Sequence, residues 1–115
     1  MNDKIIKIDI KENMPPVDVA MFLLEREIEL AKLSGVRVIK VIHGYGSSGK
    51  GGDIKKAVRA YLKEAKRKGH IVNYVGGEGW SVYKVKELGL LEDAPELLLN
   101  SDGESFNLGM TLVIL

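Results

Sequence analysis

The stretch Val38–Asp53, which reads VIKVIHGYGSSGKGGD, decides how the chain folds around its centre. Its first five residues are almost all apolar and β-branched, which is typical of a buried strand. His43 follows this strand, and five glycines then lie within the nine residues 44–52. Asp53 opens a helical pattern. A glycine-rich loop between a strand and a helix N-terminus presents backbone N–H donors and a partial positive charge, so the stretch predicts an anion site for phosphate.

The composition of the 115-residue chain is that of a globular domain, with 45% hydrophobic and 29% charged residues. We expect residues 1–115 to form one domain with its own hydrophobic core. No apolar run approaches the roughly 20 residues that span a bilayer. The alternating start MNDKIIKIDIKE is unlike a signal peptide. Without a spanning run we expect no membrane partner. Because the net charge is only +1, any binding of nucleic acid must come from local charge.

Cysteine is absent, which excludes disulfides and thiolate metal sites and fits a cytoplasmic protein. His43 and His70 are the two histidines, too few for a multi-histidine metal site. The sequence therefore predicts no metal and no other cofactor.

Apolar periodicity divides the chain into alternating strands and helices. The predicted strands cover residues 5–10, 36–42, 70–75 and 109–115, and the predicted helices run from near residue 17 to Ser34-Gly35 and from Asp53 to Gly69. A strand–helix–strand–helix–strand order with short connections implies parallel strands and right-handed crossovers. The last strand, GMTLVIL, is apolar enough to be buried.

Residues 76–106 are irregular and acidic, with short helices predicted around residues 81–88 and 95–100. We expect this segment to pack over one side of the sheet through its large apolar residues, which are Trp80, Tyr83, Leu90, Leu91 and Leu97. The sequence leaves open whether the segment covers the predicted anion site.

His43 and Asp9 are the candidate catalytic residues. His43 lies at the carboxyl end of a central strand, where ligands bind in open α/β sheets, and an imidazole can act as general acid or base near neutral pH. Asp9 points away from Ile8 and Ile10, and it lies beside His43 if the first two strands are neighbours. It could then orient the imidazole or activate water. The structural alternatives are a histidine that caps the loop and a polar residue at a strand edge.

The loop Gly44–Gly51 nearly matches the Walker phosphate loop G-x-x-x-x-G-K-[ST], with Lys50 as its lysine. Gly51 stands where that loop has the hydroxyl residue that holds Mg²⁺, and helical periodicity starts only at Asp53. A nucleotide hydrolase is therefore disfavoured, and a glycine linker without a ligand is the structural alternative. Tyr45 is predicted either to stack on a base or to cover the loop.

The second helix carries a basic row at successive i+4 steps, formed by Lys55, Arg59, Lys63 and Arg67. The row is about 18 Å long from helix rise alone. Lys56, Lys66 and Lys68 widen it, and Glu64 is its lone acid. A solvated helix face is the alternative, but such faces usually mix both signs of charge. This row indicates contacts to a phosphate backbone.

These features together resemble the Smr (small MutS-related) domain family. The run His43-Gly44-Tyr45-Gly46 matches the family's second-strand motif H-G-x-G. Ile54–Val58 resembles the helix start that follows this motif in the family. Asn107–Leu115 resembles the glycine and strand with which the family's domain closes. The resemblance covers essentially the whole chain in the expected order.

The first-strand motif L-D-L-H-G of the family is only partly present. Ile8-Asp9-Ile10 is similar to L-D-L, but Lys11 and Glu12 stand where the family usually has histidine and glycine. The resemblance implies endonuclease activity on DNA or RNA, or binding without cleavage as in some members. Loss of the histidine affects the expected cleavage more than the expected binding, because Lys11 keeps a charge that attracts phosphate.

Residues and resemblance together predict an α/β fold with a four-stranded mixed sheet in β-α-β-α-β-β order. Helices pack on this sheet, and a long insertion precedes the last strand. The predicted phosphate-binding residues are Lys11, Gly44, Tyr45, Gly46, Lys50, Lys55, Arg59, Lys63 and Gly109. We expect the His43 imidazole and the loop amides to face solvent together at one edge of the sheet.

The leading hypothesis for the function is binding of DNA or RNA with metal-independent phosphodiester cleavage, in which His43 moves a proton and Asp9 and Lys11 assist electrostatically. One alternative is a non-catalytic DNA- or RNA-binding module. Another is a domain that binds a phosphate ligand or a protein, which the acidic segment 84–104 keeps open. The sequence leaves the oligomeric state open.

Overall fold

The computed structural model describes residues 5–12, 15–44, 50–77, 87 and 109–115, without the side chains of residues 50 and 51. The elements are β1 (Ile5–Asp9), α1 (Val17–Leu33), β2 (Val38–Ile42), α2 (Lys50–Arg67), β3 (Asn73–Gly76) and β4 (Met110–Ile114). This order confirms the predicted α/β class and the long insertion before the last strand. None of the helices in the described residues has the length and apolar character that crossing a membrane would require.

The four strands form one sheet in the order β1-β2-β4-β3. β1 runs parallel to β2, whereas β4 is antiparallel to both of its neighbours, so the predicted mixed sheet is confirmed. β3 points in the same direction as β1 and β2, but β4 separates it from β2. The apolar sequence of β4 suits this central place, because all five of its residues are buried.

β1, β2 and β3 end, and β4 begins, at one edge of the sheet, which we call the carboxyl edge. In the register of this edge, Asp9 pairs with Ile42 and Ile42 pairs with Met110, while Gly76 pairs with Thr111. In open α/β sheets such an edge holds the ligand, because the loops that leave the strands gather there. The loop after β2 therefore begins where the sequence predicted the anion site.

α1 and α2 pack on the same face of the sheet. Their buried side chains recur at steps of three or four residues, so each helix presents one apolar side to the core: Ala20, Leu24, Ile28 and Ala31 in α1, and Ile54, Val58, Leu62 and Ala65 in α2. These residues pack against Ile39, Val41 and Val113 of the sheet. We call this the inner face.

The opposite face of the sheet is also buried, at Val38, Leu112 and Ile114, which alternate with residues of the inner face. The predicted packing of Trp80, Tyr83, Leu90, Leu91 and Leu97 over one side of the sheet concerns residues outside the described part. The short helices predicted around 81–88 and 95–100 also lie outside it, apart from residue 87.

The predicted start of α2 at Asp53 is wrong, because the helix begins at Lys50. Gly51 and Gly52 lie in its first turn, where a glycine has low helix propensity and no apolar side chain to reveal the helical period. The helix therefore begins at the lysine of the Walker-like sequence, as it would after a Walker loop. Gly51 still distinguishes this segment from a Walker loop, which has a hydroxyl residue at that position. The start of α1 at Val17 agrees with the prediction.

Candidate functional site

His43 is completely buried, with 0% of its surface exposed, so the expectation that its ring faces solvent is wrong. The reason is the alternation along β2, which puts Ile39, Val41 and then His43 on the inner face. The ring nitrogen Nδ1 lies 3.0 Å from the Gly44 carbonyl oxygen, and Nε2 lies 2.8 Å from the Thr111 hydroxyl oxygen. Both nitrogens are therefore engaged with the protein.

The hydrogen-bond partners determine where a neutral His43 ring holds its proton. A carbonyl oxygen only accepts, so Nδ1 donates to Gly44. Nε2 is then the acceptor, and the Thr111 hydroxyl donates to it. In this arrangement Nε2 already receives a hydrogen and does not face solvent.

Arg59 approaches the same threonine from α2. Its Nε donates to the Thr111 hydroxyl oxygen at 3.2 Å, and its Nη2 lies 3.5 Å from the Met110 carbonyl oxygen. Arg59, Thr111 and His43 thus form a continuous chain of hydrogen bonds, which we call the Arg59–Thr111–His43 chain. It connects the basic helix to the carboxyl edge of the sheet.

Thr111 did not appear among the candidates from sequence. One signal was available in the sequence, because Thr111 is the lone polar residue of the otherwise apolar β4. In the structure its side chain is 0% exposed. A buried hydroxyl needs a hydrogen-bond partner, so a threonine in a central strand marks a polar contact. Which residues make that contact depends on the packing of α2.

Lys11 and Asp9 form an exposed group at the end of β1. The Lys11 backbone N–H donates to Asp9 Oδ1 at 3.0 Å, and the Lys11 ammonium lies 3.6 Å from Asp9 Oδ2. The Lys11 stem crosses Gly44: a β-carbon added to Gly44 would lie 3.1 Å from Lys11 Cδ. Gly44 also has φ of +83°, a conformation that favours glycine.

Asp9 and His43 reach the same edge of the sheet without forming a pair. Asp9 is in register with Ile42, whose side chain lies on the face opposite to that of His43. The Asp9 carboxylate contacts Lys11, and the ring of His43 contacts Gly44 and Thr111. Within the described residues, no hydrogen bond joins Asp9 to the imidazole, so the structure does not show Asp9 orienting it.

The amide of Gly44 is used inside the protein. The backbone N–H groups of His43 and Gly44 both donate to the Gly109 carbonyl oxygen, each at 3.0 Å. This contact continues the pairing of β2 and β4 beyond the strand ends. Tyr45 and Gly46 lie outside the described residues. Lys50 begins α2, and its side chain is not among those described.

The basic row of α2 divides into three parts. Lys55 and Arg59 are half-buried, with Arg59 in contact with the carboxyl edge, and Lys63 is exposed on the next turn. Arg67 is paired with Glu64 on the helix surface, which holds the pKa of the Glu64 carboxyl below its usual range. Along the row, exposure therefore increases toward the C-terminal half of α2, where Arg67 is paired with an acid.

The two helices differ in charge. α2 holds seven basic and two acidic residues, whereas α1 holds two basic and four acidic residues. Tyr61 of α2 lies close enough to α1 to feel its acidic residues. Burial raises the pKa of Tyr61, and the carboxylates of Glu25 and Glu29 raise this pKa further. A polyanion at the carboxyl edge would therefore be attracted by α2 and repelled by α1.

This geometry defines a class of α/β domain in which a basic helix lies beside a sheet edge that carries adjacent histidine and glycine residues. A family model described as the Smr domain matches residues 13–82, which is more than half of the chain. The protein therefore belongs to the Smr domain family, a family associated with nucleic-acid binding and nuclease activity.

The matched range includes the H-G-x-G motif and all of α2, whereas β1 and β4 lie outside it. Thr111 is thus beyond the part of the chain that carries the family match. No curated protein matches the sequence significantly, and no solved structure matches it significantly.

Proposed function

We propose that this protein binds nucleic acid at the carboxyl edge of the sheet, through the basic residues of α2 and the Lys11 ammonium. The position of Arg59 supports this most directly. Arg59 belongs to the basic row of α2, and its side chain also contacts the start of β4 beside His43. Arg59 therefore joins the basic helix to the part of the carboxyl edge where His43 lies.

The charge distribution supports the same proposal. The net charge of the whole chain is +1, yet α2 alone carries seven basic and two acidic residues. Neutralising a phosphate releases counterions and changes the log–log salt slope by about 0.9 for duplex DNA and about 0.7 for a single strand. Contacts from Lys55, Arg59 and Lys63 would together give a slope of about 2 to 3. Because phosphate contacts read no base, we expect little sequence preference.

Endonuclease activity with His43 and Asp9 as catalytic residues stays a prediction. His43 Nε2 is hydrogen-bonded to the Thr111 hydroxyl, so the ring can exchange a proton with a phosphodiester only after this bond breaks. The Asp9 carboxylate is engaged with Lys11. The described geometry therefore favours binding over cleavage.

Fluorescence anisotropy with labelled single-stranded and duplex DNA and RNA tests the proposed binding. The variant Lys55→Gln/Lys63→Gln removes two charges from α2, and Arg26→Gln/Lys32→Gln removes two from α1 as the matched control. We expect the α2 variant to bind about tenfold more weakly, with a salt slope smaller by about 1.5, and the control to stay within about twofold of the wild type. Equal losses in both variants would mean that net charge alone controls binding, which contradicts the proposal.

Denaturing gels of the same mixtures, with and without a chelator, test the cleavage prediction. Products that persist with the chelator and disappear in both His43→Gln and Asp9→Asn would support it. Products that are unchanged in both variants, or no products at all, would reject it.

A further inference from the structure

We propose that Thr111 is a positioning residue of the nucleic-acid surface: its hydroxyl holds the Arg59 side chain at the carboxyl edge by using His43 as its own hydrogen-bond acceptor. This inference rests on the proposed function and assigns a role to a residue outside the family match. Its basis is the Arg59–Thr111–His43 chain, in which Thr111 and His43 are both 0% exposed.

With a neutral His43 ring, the hydrogen bonds of the chain run in one direction. The Gly44 carbonyl accepts from His43 Nδ1, so Nε2 of the neutral ring needs a donor. The Thr111 hydroxyl has a single hydrogen, which goes to Nε2, and its lone pairs then accept from Arg59 Nε. His43 thereby sets the hydroxyl orientation, and the hydroxyl in turn presents an acceptor to the arginine.

The consequence for binding is that Arg59 is ordered before a ligand arrives. An arginine side chain has many rotamers, and fixing it on binding reduces affinity. Thr111 holds Nε at 3.2 Å, and the Met110 carbonyl oxygen lies 3.5 Å from Nη2, so two contacts restrict the orientation of the guanidinium. A planar guanidinium recognises phosphate geometry in a way that a lysine ammonium does not.

Two substitutions separate the hydroxyl from the shape of the side chain. Thr111→Val keeps the volume and removes the hydroxyl, whereas Thr111→Ser keeps the hydroxyl. We expect Thr111→Val to weaken binding of labelled single-stranded RNA and DNA about fivefold and Thr111→Ser to bind within about twofold of the wild type. In an Arg59→Ala background, Thr111→Val should add less than about twofold, because the two residues act as one unit. A full additional loss in that background would overturn the inference.

Two further readouts keep the test independent of folding. Circular dichroism and thermal melting show whether each variant is folded at the binding temperature. If Thr111→Val does not fold, Thr111→Ala takes its place, since it also lacks the hydroxyl and should also bind more weakly than the wild type. ¹⁵N NMR of the wild-type His43 ring should show the neutral form with its proton on Nδ1. A proton on Nε2 would reverse the hydrogen bonds and reject the inference.

The outcomes for the two proposals are distinct. If the wild type binds neither RNA nor DNA at low salt, the proposed function fails, and this role for Thr111 fails with it. If the wild type binds and Thr111→Val binds equally well, the proposed function stands and only the role of Thr111 is rejected.

Discussion

α1 and α2 lie side by side on one face of the sheet and solve the same packing problem, yet their outer surfaces are opposite in character. Among the described side chains, each helix buries four apolar residues against the same core. Outside that core, α1 exposes Phe22 and Leu33 among acidic residues, while α2 exposes mainly lysine and arginine. Packing constrains the residue types of the buried stripe but not those of the outer surface. The similarity of the two helices is therefore a requirement of folding, and we attribute their difference in charge to function.

The largest expected effects test the similarity. Leu24→Ala in α1 and Leu62→Ala in α2 each remove a side chain that is 0% exposed. We expect each to lower the free energy of unfolding by about 2–5 kcal/mol, because a cavity remains in the core. Urea denaturation measures both, and Leu33→Ala is the control, since that side chain is 85% exposed and should change stability by less than about 0.5 kcal/mol. A small loss for one helix only would break the comparison.

A smaller effect tests the difference in charge. Glu25→Gln/Glu29→Gln removes two carboxylates from α1 near Tyr61 of α2. We expect nucleic acid to bind about two- to threefold more tightly, because repulsion of the phosphates is reduced. The anisotropy assay of the wild type and this variant measures it, and the gap should close at high salt, where surface charges are screened. An unchanged affinity at low salt would mean that α1 lies away from the bound strand.

The smallest effect concerns the border between the helices. Burial raises the pKa of Tyr61 above 10.0, and Glu25 and Glu29 raise it further. A group whose pKa is raised on folding stabilises the protein below its unfolded pKa, so this contribution is lost as the pH rises from about 10 through the folded pKa. Urea unfolding between about pH 9 and pH 11 should show a smaller loss of stability in Tyr61→Phe than in the wild type.

An ultraviolet titration of tyrosinate provides the check on that border. The Glu25→Gln/Glu29→Gln variant should ionise Tyr61 at a lower pH than the wild type does. If the two titrations coincide, the acidic residues of α1 do not reach Tyr61 in solution.

Local patterns predicted most of the fold. The Pro15-Pro16 start and the Ser34-Gly35 end of α1 agree with the structure, because proline and glycine act on the backbone where they stand. The place of β4 between β2 and β3 required long-range pairing that no local pattern contains. The start of α2 was misplaced since its first turn contains two glycines.

The site was predicted as a set of residues and not as an arrangement. Lys11, Gly44, Gly109 and Arg59 do meet near the carboxyl edge. The alternation of Ile39 and Val41 along β2 already indicated that His43 points inward. The H-G-x-G motif led instead to the prediction that the ring faces solvent. The contact between Arg59 and Thr111 joins residues 52 positions apart, so it depends on how α2 lies over the sheet.

The sequence by itself determined the order of the elements, the apolar stripes that form the core, and the concentration of positive charge on α2. These properties are local, because each depends on residue type and on spacing along a single helix or strand. Tertiary structure alone decided which groups the His43 ring contacts and that Thr111 links His43 to Arg59. Hydrogen bonds have a range of about 3 Å, so which groups form them is settled only when helix and sheet pack together.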